Sequence, residues 1–167
     1  MIALDKFDRA HYAALISWID SEEMLMQFGG PLFSYPLTNA QLDVSLSDPQ
    51  RMAFCITLID TGEVIGHAEI YFSEQSAKLA RILIGDPEQR GKGLGQRVMQ
   101  LLLDRAFGRP EIEVVELNVF DFNTGAIKCY EKVGFVINPA KKLERQVKGE
   151  TWTAINMTID RVQWKPL

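Results

Sequence analysis

Hydrophobic positions along this chain follow two periods, one of helix and one of strand, and the switches between them give an order of elements. Ala13, Leu15, Ile16 and Ile19 recur at helical spacing and predict a helix over residues 10–19, after a short strand at Ile2–Leu4. Glu22–Phe28 predicts a further helical stretch ended by Gly29-Gly30-Pro31, and Thr38 or Asn39 is placed to cap a helix running to Leu46. Residues 31–38 between them, rich in aromatics and proline, read as loop. From Met52 the period shortens to two. Met52–Ile59 and Val64–Phe72 read as strands joined by the hairpin signal Asp60-Thr61-Gly62, and Lys78–Ile84 as a third strand. Strict alternation puts Ile65, His67, Glu69 and Tyr71 on one face, and Leu79, Arg81 and Leu83 on one face of the next strand. Leu94, Val98, Leu101, Leu102 and Arg105 share a mostly apolar helix face. Val114–Phe120 is then a strand, Asn123–Lys132 a helix, and strand returns from Phe135. Thr151–Arg161 closes the sheet, with Trp152, Ala154, Asn156 and Thr158 opposite Thr153, Ile155, Met157 and Ile159. The order predicts an α+β class: one domain with a mixed central sheet and helices on both faces.

Composition narrows the picture only a little. At 167 residues and 47% hydrophobic, the chain is long enough for one sizeable core. A net charge of −4 argues against nucleic-acid binding and leaves cationic partners open. No apolar run reaches the length of a membrane span, and the first ten residues lack an apolar signal core, so a cytoplasmic location is expected. Cys55 and Cys129 form no C-x-x-C and read as reduced thiols.

The stretch Gly85-Asp-Pro-Glu-Gln-Arg-Gly-Lys-Gly-Leu-Gly-Gln96 changes the picture most. An apolar strand leads in and an amphipathic helix leads out. Helix N-termini carry unpaired N–H groups and a partial positive charge. Gly91, Gly93 and Gly95 leave the backbone open, while Arg90 and Lys92 add charge, so the loop reads as a cradle for phosphate or pyrophosphate. It is not a P-loop: five residues separate Gly85 from Gly91, and Gly93 stands where a magnesium-binding hydroxyl belongs. Nor is it a dinucleotide fingerprint, since the counts from Gly91 and Gly93 end on Gln96 and Val98.

Arg90, Gly93 and Gly95 fill the signature [QR]-x-x-G-x-[GA], and Asn123-x-x-Ala126-x-x-x-Tyr130-x-x-x-Gly134-Phe135 follows a helix and a strand later. Together these resemble the acetyl-CoA loop and the downstream segment of the GNAT superfamily of N-acetyltransferases, and the likeness extends loosely from Ile2 to near Trp152. The Trp18-Ile-Asp region and the Trp152 strand look similar to the ribosomal-protein alanine, polyamine and aminoglycoside acetyltransferase branches. The resemblance implies acceptor-side helices at about 10–46, an acetyl-CoA-binding core at about 52–135 and C-terminal strands at about 135–161. It implies acetyl-CoA as co-substrate, no metal, and transfer to an amine acceptor, either a small molecule or a peptide N-terminus. The cradle would be Arg90, Gly91, Lys92, Gly93, Leu94, Gly95 and Gln96. Backbone groups of Leu83, Ile84 and Gly85 would serve the pantetheine and thioester, Asn123 would bond the pantetheine arm, and Tyr130 would protonate the departing thiolate.

An alkyl amine has a pKa of about 10 and must lose a proton before it attacks a thioester. Some relatives carry a glutamate where this chain has Asn118, and an amide cannot be the base. Glu69 is therefore the expected carboxylate base, with a structural Glu69–Arg81 pair as the equal alternative and His67 as a further candidate. The resemblance implies that acceptor selection falls to the N-terminal helices and their loop, which offer Trp18, Asp20, Glu22, Glu23, Phe28, Phe33 and Tyr35, where carboxylates beside aromatics suit a cationic amine unless they form an ordinary charged surface. A non-catalytic acyl-CoA sensor or interaction module is the alternative function, and homodimerisation is left open.

Overall fold

The computed structural model describes residues 1–166, in which seven strands form one sheet of order β1-β2-β3-β4-β5-β7-β6. The strands are β1 (Ile2–Lys6), β2 (Arg51–Leu58), β3 (Val64–Phe72), β4 (Ser76–Ile84), β5 (Val114–Phe120), β6 (Val136–Val147) and β7 (Glu150–Asp160). The helices are α1 (Tyr12–Trp18), α2 (Glu22–Gly29), α3 (Asn39–Leu46), α4 (Leu94–Phe107) and α5 (Thr124–Val133). Every neighbouring pair is antiparallel except β4 with β5, which run parallel. That pairing covers only Ser76–Leu79 against Val114–Leu117. Beyond it the two strands part, and Ala80–Ile82 with Asn118–Phe120 line a cavity.

The sheet has an apolar cluster on each face. One holds Val98, Met99, Leu102 and Leu103 of α4 against Ala68, Ile70, Leu79, Val115, Leu117 and Met157. The other holds Leu15, Leu25, Phe28 and Leu42 of α1–α3 with Phe7 and Cys55. Val115, Leu117 and Val119 alternate toward α4, so Glu116, Asn118 and Phe120 point to the opposite face. β6 and β7 are joined by Lys148-Gly149, whose φ values of +49° and +81° suit a two-residue hairpin turn.

Three local expectations change. An irregularity in the β2–β3 pairing moves Ile65 into the α4-side cluster, while His67 meets Phe7 edge to face and lies tilted beside Phe28 on the other face. A bulge in β4 at Arg81, whose φ is +51°, reverses the alternation there, so Leu79 and Leu83 pack in opposite clusters. The buried face of α4 is centred on Val98, Met99, Leu102, Leu103 and Ala106. Arg105 is exposed and reaches back to donate to the Leu4 carbonyl at 3.4 Å.

Candidate functional site

Where β4 and β5 part, a cavity of about 610 Å³ lies between Ala80–Ile82 and Leu117–Phe120. Residues from the end of α2, the start and middle of α5, and β6 complete its walls. Unpaired strand edges leave backbone donors and acceptors open to a ligand, which an intact ladder would not.

The glycine loop lies between β4 and α4. Gly91 and Gly93 both have φ of +75°, and nothing lies within 4 Å of where a Cβ would stand on either. Their glycines are therefore set by backbone conformation, with open space above them. Gly93 is the N-cap of α4 and no side chain caps this helix, so its first-turn N–H groups remain available to an anion. Gly95 differs: a Cβ there would stand 3.3 Å from the Cys129 sulfur, so this glycine lets α4 and α5 approach. Arg90 turns back on its own strand, donating from Nε to the Ile84 carbonyl at 2.9 Å, while Lys92 donates to Gln89 Oε1 at 3.4 Å. The loop thus combines open glycine backbone with an uncapped helix start, features that could hold an anionic group.

Leu83, Ile84 and Gly85, expected to offer backbone groups, stand beyond the cavity lining. The Gly85 N–H donates to Ile65 O at 2.8 Å, and a Cβ at Gly85 would overlap the Trp18 ring. This glycine is required by the seat of α1 on the strand end, and the open strand edge lies earlier, at Ala80–Ile82.

Asn123 and Tyr130 come together as their spacing implies, and both line the cavity. Asn123 caps α5, its Oδ1 accepting from the Ala126 N–H at 3.4 Å. Burial pushes the Tyr130 phenol up to about 12, with Cys129 adding to the shift, so the hydroxyl keeps its proton at neutral pH. Among the described residues it has no hydrogen-bond partner. Tyr130 thus brings a protonated phenol to the cavity lining.

Glu69 is only 3% exposed. Its Oε1 accepts from Arg51 Nη1 at 2.9 Å and from Arg81 Nη1 at 3.2 Å, while Oε2 lies 2.8 Å from His67 Nε2. Burial alone would raise its pKa, but the His67 hydrogen bond and the charges around it outweigh burial and hold the carboxyl below its ordinary range. Arg81 also donates to Ser45 Oγ at 2.6 Å and lies 4.2 Å from the Phe33 ring centroid. The Glu69–Arg81 pair is thus present, and both carboxylate oxygens are engaged. Glu69 and His67 are absent from the cavity lining, whereas Arg51 and Arg81 line it.

Three asparagines stand opposite one another across β5, β7 and β6. Asn138 Nδ2 donates to Asn156 Oδ1 at 3.2 Å, and Asn156 Nδ2 donates to Asn118 Oδ1 at 2.9 Å and to Leu117 O at 3.2 Å. The Ala140 N–H donates to Asn138 Oδ1 at 3.2 Å. The middle of the row and its Asn138 end are therefore fixed by backbone groups, and Asn118, which lines the cavity, makes no Nδ2 hydrogen bond among the described residues. The sequence marks Asn118 only as a position lacking a base; its part in this row needs the strand order.

The N-terminal residues expected to select an acceptor divide. Phe28 lines the main cavity, and Phe33 lines a second one of about 470 Å³ beside α3 that shares Asp48, Arg51 and Arg81. Asp20, Glu22 and Glu23 line neither, and Glu23 pairs with Lys148 at the surface. No group of three metal-capable side chains occurs among the described residues, and none of their helices is long and apolar enough to cross a membrane.

A model of the acetyltransferase (GNAT) family matches residues 14–135. An aminoglycoside N(6')-acetyltransferase type 1 from Klebsiella pneumoniae is 27% identical over 74% of this chain and 68% of its own length. An N-acetyltransferase 9-like protein from Caenorhabditis briggsae is 21% identical over 77% of this chain and 71% of its own. Among solved structures, a spermidine N-acetyltransferase from Vibrio cholerae in complex with CoA and spermine superposes with a TM-score of 0.78. It is 21% identical, with 97% of this chain and 96% of that one covered. An aminoglycoside acetyltransferase in complex with coenzyme A gives 0.74 at 21% identity, covering 98% and 96%.

Proposed function

Because this chain belongs to the GNAT acetyltransferase family, we propose that it moves an acetyl group from acetyl-CoA to a primary amine, with Tyr130 as general acid. The observation that carries this reading is the parting of β4 and β5 beside the uncapped N-terminus of α4. One ligand could then lay an anionic end on the helix and reach the strand gap with the other. Gly91–Gln96 would take the pyrophosphate, and the edges at Ala80–Ile82 and Asn118–Phe120, with Asn123, would take the arm.

The bound thioester supplies an activated acetyl carbon. A neutral amine attacks that carbon, forming the C–N bond, and an N–H aimed from the open strand edge steadies the charge gathering on oxygen. Collapse breaks the C–S bond, and the leaving sulfur takes the Tyr130 proton. The proton shed by the amine leaves through the open cavity to water, and the Tyr130 phenolate regains a proton from water, which restores the starting state. Glu69 serves in this scheme as the counter-ion of two guanidiniums, because a base needs a free oxygen within reach of the amine. Holding the partners in line supplies most of the acceleration, and the tyrosine adds to it.

The test is a calorimetric titration with acetyl-CoA, followed by free-thiol release with a panel of amines. Binding with amine-dependent thiol release is the expected result. Binding without release from any amine would leave a sensor of acyl-CoA.

A further inference from the structure

Among the described residues, the main cavity is lined by Arg51, Lys78, Arg81 and Arg145 against a single carboxylate, Asp48. These cations stand on the face away from α4. Lys78 alternates with Ala77 and Leu79, which are buried beneath that helix. Arg51 and Arg81 share Glu69 on the α1–α3 side, and Arg145 lies opposite Trp152, on the strand face that carries Asn156. They are therefore not placed to meet phosphates at the glycine loop.

Little on this face neutralises them. Glu69 carries one charge for two guanidiniums, so that cluster keeps a net positive charge. Glu116 stands opposite Lys78 in register, but its carboxylate accepts from Lys141 at 3.1 Å. Asp48 Oδ1 accepts from the Gln50 N–H at 3.0 Å. Arg51 Nε is buried without an acceptor, and the Asn118 Nδ2 donors are unspent among the described residues. A wall of donors and cations attracts an anion and repels a polycation. Aminoglycosides and spermine, named in the relatives, are polycations.

We propose that the acceptor of this enzyme is an amine that also carries an anionic group, a carboxylate or a phosphate, held by Arg51, Lys78 and Arg145 while the amine faces Tyr130. This rests on the acetyl-transfer reading above. Charge opposition across the cavity then excludes di- and polyamines.

The experiment compares 4-aminobutanoate, O-phosphoethanolamine, butylamine and 1,4-diaminobutane by free-thiol release, with acetyl-CoA binding measured separately by calorimetry. The expected kcat/KM is about tenfold or more higher for an anionic member than for butylamine, with the diamine lowest. The two anionic arms separate carboxylate from phosphate. In Lys78→Gln/Arg145→Gln, with folding checked by thermal melting, that preference should shrink toward unity; Lys78→Gln alone is the fallback if the pair does not fold. Preference for the diamine or equal use of all four would overturn the inference. Failure to bind acetyl-CoA, or binding with no thiol release from any amine, would instead remove the acetyl-transfer reading, and this inference with it.

Discussion

On the α4–α5 face the core is continuous and apolar, and the candidate ligand loop is local: one strand end, three glycines and one helix start. On the α1–α3 face a carboxylate that is 3% exposed joins Arg51 from β2, His67 from β3 and Arg81 from the β4 bulge, with Ser45 of α3 behind it. The first face depends on backbone shape and apolar burial, the second on charges that must all be present together. A loss on the α4 side should therefore weaken ligand binding, whereas a loss on the other should weaken the fold.

Glu69→Gln breaks the second face most directly. Two guanidiniums would then share a neutral amide, and the expected loss is about 3–5 kcal/mol in urea denaturation. The pH dependence follows from the sign of the shift. Because the folded carboxyl is held below its ordinary range, its stabilisation is present above that range and is lost as pH falls through the lowered value. The acid limb of stability should accordingly be flatter in the variant. A variant that folds normally but loses the rising limb of the pH–rate profile would return Glu69 to the role of base.

Tyr130→Phe acts where the two faces meet. It preserves the ring and removes the hydroxyl, so turnover should fall ~10–10³-fold with little change in acetyl-CoA affinity. Unchanged single-turnover rates would remove the residue from the chemistry. Gly93→Val tests the α4 side alone. A β-branched residue at a φ of +75° is strained, and the expected effect is roughly 10–100-fold weaker acetyl-CoA binding by calorimetry. Normal affinity would mean that the loop does not hold the phosphates. Asn123→Ala, the smallest change, should cost about 1 kcal/mol in thermal stability through the lost cap. A rise in KM for acetyl-CoA beyond that would mark a ligand contact as well.

The α4 side was legible in the sequence because its determinants are close together. The strand, glycine loop and helix lie within Lys78–Ala106, and the Asn123–Tyr130 spacing places both on one helix face. The other face was only half legible. His67, Glu69 and Arg81 were singled out, and the Glu69–Arg81 pair was weighed, but Arg51 and Ser45 come from elements brought near only by sheet order and the packing of α3. The bulge at Arg81 defeats alternation because one extra residue reverses every face after it. The close approaches at Gly95 and Gly85 were not legible, because the groups that they meet, Cys129 and Trp18, lie on other elements.

The row of asparagines has a thermodynamic consequence of its own. A lone amide at a cavity wall rotates by half a turn at little cost, exchanging donor for acceptor to suit its guest. Here a reversal at Asn118 would set two oxygens, or two NH₂ groups, against each other unless Asn156 and Asn138 reversed too. Those two are held by the Leu117 carbonyl and the Ala140 N–H. The three flips are correlated, and the combined reversal forfeits both backbone bonds at about 1 kcal/mol each, more where a buried group is left bare. The hydrogen-bonding sense of this wall is thus fixed when the chain folds, and adaptation to a guest has to come from the guest.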